Sequence, residues 1–224
     1  MSLDVSAAFG AGGAEPYASA LGPGDSTMLY LSEVGGRSTR ATMDVSRWNA
    51  DADAVDLMLL DAVRGPVLDI GSGPGRMVRA ANARGMEALG IDVSDAAVQL
   101  ASSLGGDFLQ ASVFDALPRE GQWQTALLVD GNVGIGGDVL ALLARCLELL
   151  APQGEIVVEV DADAGHEKQY VGQVVDSRGR RSDSFPWAEI GRDRLAELLP
   201  GLRLTLAQSW SVGGRSFCRL AKIA

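Results

Sequence analysis

From Pro66 onward the chain alternates short apolar runs with segments whose apolar residues recur every three or four positions. That alternation predicts parallel strands joined by crossover helices, an α/β architecture. Strands are expected at Pro66 to Ile70, Ala88 to Asp92, Phe108 to Ala111, Thr125 to Asp130 and Glu155 to Val160, the last two without polar alternation and so buried on both faces. Helices are expected at Arg76 to Arg84, after the capping residue Ser94 along Ala96, Val98, Leu100, Ala101 and Leu104, and at Val139 to Leu150, which Ala-Pro-Gln-Gly at 151 to 154 should close. The chain should finish with a helix at Arg192 to Leu199 and two strands, Leu202 to Ser209 and Ser216 to Ala221, joined by Val212-Gly213-Gly214.

Two stretches stand outside this rhythm. Residues 161 to 188 are polar, rich in Asp, Gly, Arg and Ser, and hold no period, so they predict a long loop; long loops in compact domains usually carry function. Residues 1 to 65 form a separate extension. Met28 to Val34 and Arg37 to Met43 flank Gly35-Gly36 as a hairpin, and Asp51 to Val63 reads as a helix with acids in its first turn. The first 24 residues, rich in Gly, Ala and Ser, predict partial order with a short helix near Tyr17 to Leu21. The expected division is 1–65 as a substrate-side cap and 66–224 as the cofactor-binding domain.

Bulk properties narrow the partners. A chain of 224 residues with 47% hydrophobic content can bury a full core. The net charge of −10 and the absence of any basic run longer than Arg180-Arg181 argue against nucleic acid. Arg178, Arg180, Arg181, Arg192 and Arg194 lie close in sequence without interleaved aromatics, which suits a solvated loop. Cys146 and Cys218 sit in apolar runs as small core residues, and one histidine with two separated cysteines makes no conventional zinc site, so no metal is expected. No stretch approaches the ~20 apolar residues of a membrane span. The expectation is a soluble cytoplasmic protein without a membrane or nucleic-acid partner; the sequence carries no signal for oligomeric state.

The candidate chemistry centres on Pro66-Val-Leu-Asp-Ile-Gly-Ser-Gly-Pro-Gly75. Gly71, Gly73 and Gly75 allow positive φ and let a ligand approach the backbone, while the following helix aims its N-terminal amides at the same place. A dinucleotide loop requires G-x-G-x-x-G, whereas here the position of the third glycine holds Arg76. With the acid Asp69 one apolar residue before G-x-G-x-G, the stretch resembles motif I of the class I S-adenosylmethionine-dependent methyltransferases. The resemblance covers roughly residues 66 to 160 well and the remainder loosely. It implies a Rossmann-like, doubly wound, seven-stranded and mostly parallel sheet with an antiparallel last strand, carrying the small N-terminal hairpin and helix extension.

The same resemblance assigns provisional roles at the carboxyl ends of the strands. Gly71, Ser72, Gly73 and Gly75 would lie against the methionine part of the cofactor, and Asp69 would hold the loop or the cofactor ammonium. Asp92 stands 21 residues after Gly71, where a carboxylate can accept both ribose hydroxyls; read by itself it is equally a helix-capping acid. Val93 would pack on the adenine. Ser112 stands where an acid is commonest for the adenine amino group, with Val113 against the ring; Asp115 is the nearby substitute, or a solvated loop acid. Asp130, Gly131 and Asn132 mark the edge of the transfer site, or a structural turn; they are not the N-P-P-Y type signature of base and amide methylation, which favours a small-molecule acceptor. His166, the one histidine, is the candidate base, with an exposed loop residue as its other reading. Trp187, Phe185, Tyr170 and Trp48 could wall the acceptor pocket or serve packing alone.

The function implied is methyl transfer from S-adenosylmethionine to an O or N nucleophile of a small molecule such as a biosynthetic intermediate. The competing readings are a non-catalytic S-adenosylmethionine-binding regulator or partner subunit and, further off, a nicotinamide-dependent oxidoreductase, which would need the missing glycine and a Tyr-x-x-x-Lys type of hydride machinery.

Overall fold

The computed structural model describes residues 8–10, 16–22, 28–36 and 41–223. In chain order its elements are α1 Pro16–Leu21, β1 Leu29–Glu33, β2 Ala41–Met43, α2 Val45–Asn49, α3 Ala54–Asp61, β3 Val67–Ile70, α4 Arg76–Ala83, β4 Ala88–Asp92, α5 Asp95–Leu104, β5 Asp107–Gln110 and β6 Trp123–Leu128. A 3₁₀ turn at Asn132–Gly137 follows, then α6 Val139–Leu149, β7 Leu150–Val160, β8 Glu167–Asp176, β9 Phe185–Ile190, α7 Arg192–Leu198, β10 Leu204–Val212 and β11 Arg215–Lys222.

The main sheet has seven strands in the order β10-β11-β7-β6-β3-β4-β5. β3 pairs in parallel with β4 on one side and β6 on the other, so the chain reverses its direction of travel across the sheet beside β3. In an open α/β sheet the crevice outside the carboxyl ends at such a reversal receives the ligand. β11 enters antiparallel between β7 and β10, as the sequence suggested for the end of the chain. One face of the sheet buries Leu142, Leu143, Cys146 and Leu149 of α6 together with Cys218; the other buries Leu59 and Leu60 of α3 with Met77, Val78 and Ala81 of α4. Side chains start three of the helices: Asp53 forms a capping box with Asp56 at α3, and the side chains of Ser94 and Asp138 cap α5 and α6. Ala151 to Gly154, expected as a helix-stopping loop, instead extends β7 backward to Leu150, which pairs with Trp123 ahead of a register shift in β6.

The larger correction concerns residues 161 to 188. They are not one continuous loop: β8 and β9 join β1 and β2 in a second, four-stranded antiparallel sheet of order β2-β1-β8-β9. Their alternation is masked because β8 runs from solvent into the core, exposed at Glu167 and buried from Val174 to Asp176, while Pro186 in β9 argues against a strand on sequence grounds. The expected N-terminal hairpin is present as β1 and β2, with Leu29 opposite Met43; residues 37 to 40 of its connection lie outside the described residues. Leu29, Val174, Phe185 and Trp187 of this cap sheet pack with Tyr17, Ala20 and Leu21 of α1 and with Ala97 of α5. This sheet therefore draws β1 and β2 from the first 65 residues and β8 and β9 from beyond Val160. Among the described residues no helix is long and apolar enough to cross a membrane.

Candidate active site

Between the carboxyl ends of the main sheet and the inner face of the cap sheet lies a cavity of about 840 Å³. Enclosed volumes of roughly 300–1,000 Å³ are typical of cofactor and small-ligand sites. Gly71, Ser72, Gly73, Asp92, Val93, Ser112, Val113, Asp130, Gly131 and Asn132 all line it, so the structure brings these expected site residues to one place. Asp69, Gly75 and His166 are not among its lining residues.

Each loop glycine answers a different steric demand. All three have positive φ, and a Cβ at Gly71 would meet the Asn132 amide at 2.7 Å, at Gly73 the Tyr17 hydroxyl at 3.2 Å, and at Gly75 the Phe108 ring at 2.2 Å. Gly75 thus serves packing of α4 against β5. The Asn132 amide donates to the carbonyls of Ile70 at 2.8 Å and Gly71 at 3.0 Å, tying the two loops together. Asp92 accepts from the Gly73 N–H at 2.9 Å and from the Ser94 N–H at 2.8 Å, and each oxygen retains a further lone pair for a ligand. Burial pushes its carboxyl up to about 6 despite those N–H groups. Burial likewise pushes Asp69 up to about 7; Arg76 opposes the rise, and Asp130, Asp92 and Asp56 add to it.

Arg76, in the place of a third glycine, is nearly buried and bonds Asp56 at 2.8 Å and Asp130 at 2.7 Å. Arg47 of α2 reaches the same two acids at 2.9 and 2.7 Å, and Arg215 of β11 bonds Asp56 at 2.7 Å and Glu159 at 2.7 Å. Burial alone would raise the Asp56 carboxyl; Arg76 and Arg215 overcome this and bring it down to about 2. Sequence reasoning missed this network, and its one visible signal was Glu159, a lone acid in the apolar run Ile-Val-Val-Glu-Val.

The other expectations divide. The Ser112 hydroxyl accepts from the Phe114 N–H, and Asp115 turns back to accept from the Ser112 N–H, so Asp115 stabilises its own turn. The glycine-dense 131–137 segment serves packing as well as the cavity: a Cβ at Gly134 would lie 2.2 Å from the Ala188 carbonyl, and one at Gly137 2.8 Å from Pro186. Trp48 and Trp187 line the cavity, whereas Phe185 and Tyr170 do not. His166 Nε2 lies 2.9 Å from Glu189, a lining residue that the sequence did not single out; Tyr17 and Arg47 were missed in the same way.

The donor set suits S-adenosylmethionine on structural grounds. The Gly71–Gly73 cradle leaves no room for side chains, Asp92 presents a carboxylate at the wall, and Asp69 Oδ1 and the Ser72 hydroxyl are buried with no hydrogen-bond partner among the described residues.

Comparison with known proteins agrees. A family model described as a methyltransferase domain matches residues 43–222. A methyltransferase from Bacteroides fragilis, solved in complex with S-adenosyl-L-homocysteine, superposes with a TM-score of 0.75 at 19% identity, covering 93% of each chain. The 1,6-didemethyltoxoflavin-N1-methyltransferase of Burkholderia thailandensis gives 0.59 at 23% identity over 81% of this chain and 82% of that one. Magnesium protoporphyrin IX methyltransferase from Synechocystis gives 0.50 at 14% identity over 76% and 77%. No curated protein matches the chain in sequence. With the matched model spanning most of its length, and with this sheet order, the chain belongs to the methyltransferase-domain family and is a class I S-adenosylmethionine-dependent methyltransferase.

Proposed function

We propose that the protein methylates an O or N nucleophile on a small, planar molecule in the cytoplasm, with α1, α2 and the cap sheet forming the acceptor-side cover. The observation that carries this reading is the character of the cavity beyond the glycine loop: Phe9, Leu31, Met43, Trp48 and Trp187 wall it with apolar and aromatic surface. Such walls bury a flat organic body and exclude water. The structure of the Burkholderia enzyme with bound 1,6-didemethyltoxoflavin and S-adenosylhomocysteine supports this reading.

S-adenosylmethionine supplies the methyl group and its own leaving group, so this chain's residues chiefly position the reactants. Gly71, Ser72 and Gly73 cradle the methionine portion through the backbone, Asp92 accepts the ribose hydroxyls, and Val93, Ser112 and Val113 border the adenine. Asp130, Gly131 and Asn132 form the rim towards the acceptor. The Tyr17 side chain, with its hydroxyl beside Gly73, shields that end from water.

The test is calorimetric titration with S-adenosylhomocysteine and with NADH, followed by a screen for S-adenosylhomocysteine release with small molecules, peptides and nucleic acids. Tight binding of the first ligand alone and turnover on small planar molecules are expected. Turnover confined to peptides or nucleic acids would remove the small-molecule reading.

A further inference from the structure

Seven carboxylates border the cavity, and six have evident structural work. Asp130 and Glu159 are neutralised by arginines; Asp92 accepts the Gly73 and Ser94 N–H groups; Asp138 and Asp44 cap helices; Asp161 accepts the Asp163 N–H. Glu189 is different. It lies on β9 in register with Lys168, two residues from Trp187, which is in register with Tyr170. These positions share the face of the cap sheet that also carries Leu31 and Met43, and Trp187, Leu31, Met43 and Glu189 all line the cavity.

Glu189 is held without a cationic side chain of fixed charge. Tyr170 Oη donates to Oε1 at 2.6 Å, and His166 Nε2 lies 2.9 Å from Oε2. Burial, and then Glu189 itself, raises the Tyr170 hydroxyl well above its ordinary range, which keeps it a donor. Lys168, the cross-strand neighbour, is drawn away: its ammonium bonds Glu33 at 2.9 Å and stands 4.4 Å from the centre of the Tyr170 ring. A carboxylate fixed in direction by two donors and not paired with Lys or Arg keeps lone pairs free for a further donor.

We propose that Glu189 is the acceptor-binding carboxylate of this methyltransferase, receiving the hydrogen bond of a hydroxyl or a neutral amine N–H on the planar acceptor and taking its proton; the inference rests on the small-molecule reading above. The acceptor lone pair forms the new bond to the methyl carbon as the carbon–sulfur bond breaks, its electron pair remaining on sulfur. The proton left on the acceptor passes to Glu189 and from there to solvent beside the part-exposed His166. Tyr170 and His166 are positioning residues in this scheme.

The proposal is tested with S-adenosylhomocysteine-loaded protein and matched planar probes: 7-hydroxycoumarin against 7-methoxycoumarin, 2-naphthol against 2-methoxynaphthalene, and 6-aminoquinoline against 6-(dimethylamino)quinoline. The free hydroxyl or amine is expected to bind roughly tenfold tighter than its capped partner, the scale of one charge-assisted hydrogen bond. Glu189→Gln should abolish that preference with S-adenosylhomocysteine affinity unchanged, which also verifies folding. Glu189→Asp, one methylene shorter, should shrink it by less. Equal binding within pairs, or a preference that survives Glu189→Gln, overturns the role of Glu189 and leaves the small-molecule reading intact. If no probe binds the loaded protein, both fall.

Discussion

The two ends of the cavity hold charge in opposite ways. At the cofactor end three arginines, Arg47, Arg76 and Arg215, converge on Asp56, Asp130 and Glu159, and Asp56 is completely buried. At the cap end Glu189 meets a phenol and an imidazole. The first arrangement spends its charge internally and fixes α2, α3, α4 and β11 relative to one another; the second leaves a directed acceptor on the cavity wall. Charge density therefore marks the scaffold here, and sparse, oriented charge marks the chemistry.

The strongest way to break that distinction is Asp56→Ala. Removing one partner from a buried ion network leaves uncompensated cations, at a cost of about 3–5 kcal/mol. Urea denaturation should register that loss, while Glu189→Gln should move stability far less. A small effect at Asp56, under about 1 kcal/mol, would mean that the network is not the scaffold.

Gly134 tests the joint between the two ends. A Cβ there would stand 2.2 Å from the Ala188 carbonyl, so Gly134→Ala must push β9 from the 131–137 segment, at about 1–3 kcal/mol. Gly85→Ala, away from the cavity, is the control: its φ is +75° but nothing lies near its Cβ, so only the left-handed backbone is penalised, by roughly 1–2 kcal/mol. Acceptor-probe affinity should fall in the first variant and hold in the second. Equal behaviour of the two would separate this segment from the cap.

The same comparison explains what could be read from the chain. The cofactor end is local: β3, the glycine loop, the start of α4 and the acid ending β4 fall within Val67 to Asp92, and their patterns survive without tertiary context. The ion network is not local, since the Arg47–Asp130 bond spans 83 positions and the Arg215–Asp56 bond 159. Arg76 could be recognised as a departure from a glycine pattern, but its partners could not. The cap sheet was hidden for a different reason: β8 pairs with β1 across more than a hundred residues, and its half-exposed run obscures any period. His166 drew notice as the lone histidine, whereas Glu189, beside it in space, has no sequence signature that separates it from other acids.

Asp92 links the local pattern to binding. Asp92→Ala should weaken S-adenosylhomocysteine binding by about 1.5–3 kcal/mol, the range of hydrogen bonds to a charged group. Calorimetry on a variant that still unfolds cooperatively would check this, and undiminished affinity would detach Asp92 from the ribose.

The smallest expected effect is one of pH, and its sign differs between carboxylates of the two kinds. Asp92 and Asp69 titrate upward on folding, to about 6 and about 7, so the folded protein holds protons that the unfolded chain releases. The stability attached to those shifts is present below the ordinary carboxylate range near pH 4 and is lost as pH rises through 6 and 7. Asp56, lowered to about 2, acts oppositely: its contribution is present above pH 4 and is lost as pH falls towards 2. Binding should follow the ionised Asp92, because a protonated carboxyl donates where the ribose hydroxyls need an acceptor. Affinity for S-adenosylhomocysteine should therefore be full above pH 7 and fall about tenfold by pH 5, one unit below the Asp92 value of about 6. Titrations near pH 6 in buffers of different ionisation heat should show proton release on binding. Proton uptake there would place the ligand on the protonated form and reverse the role given to Asp92, whereas Asp92→Asn should flatten the profile.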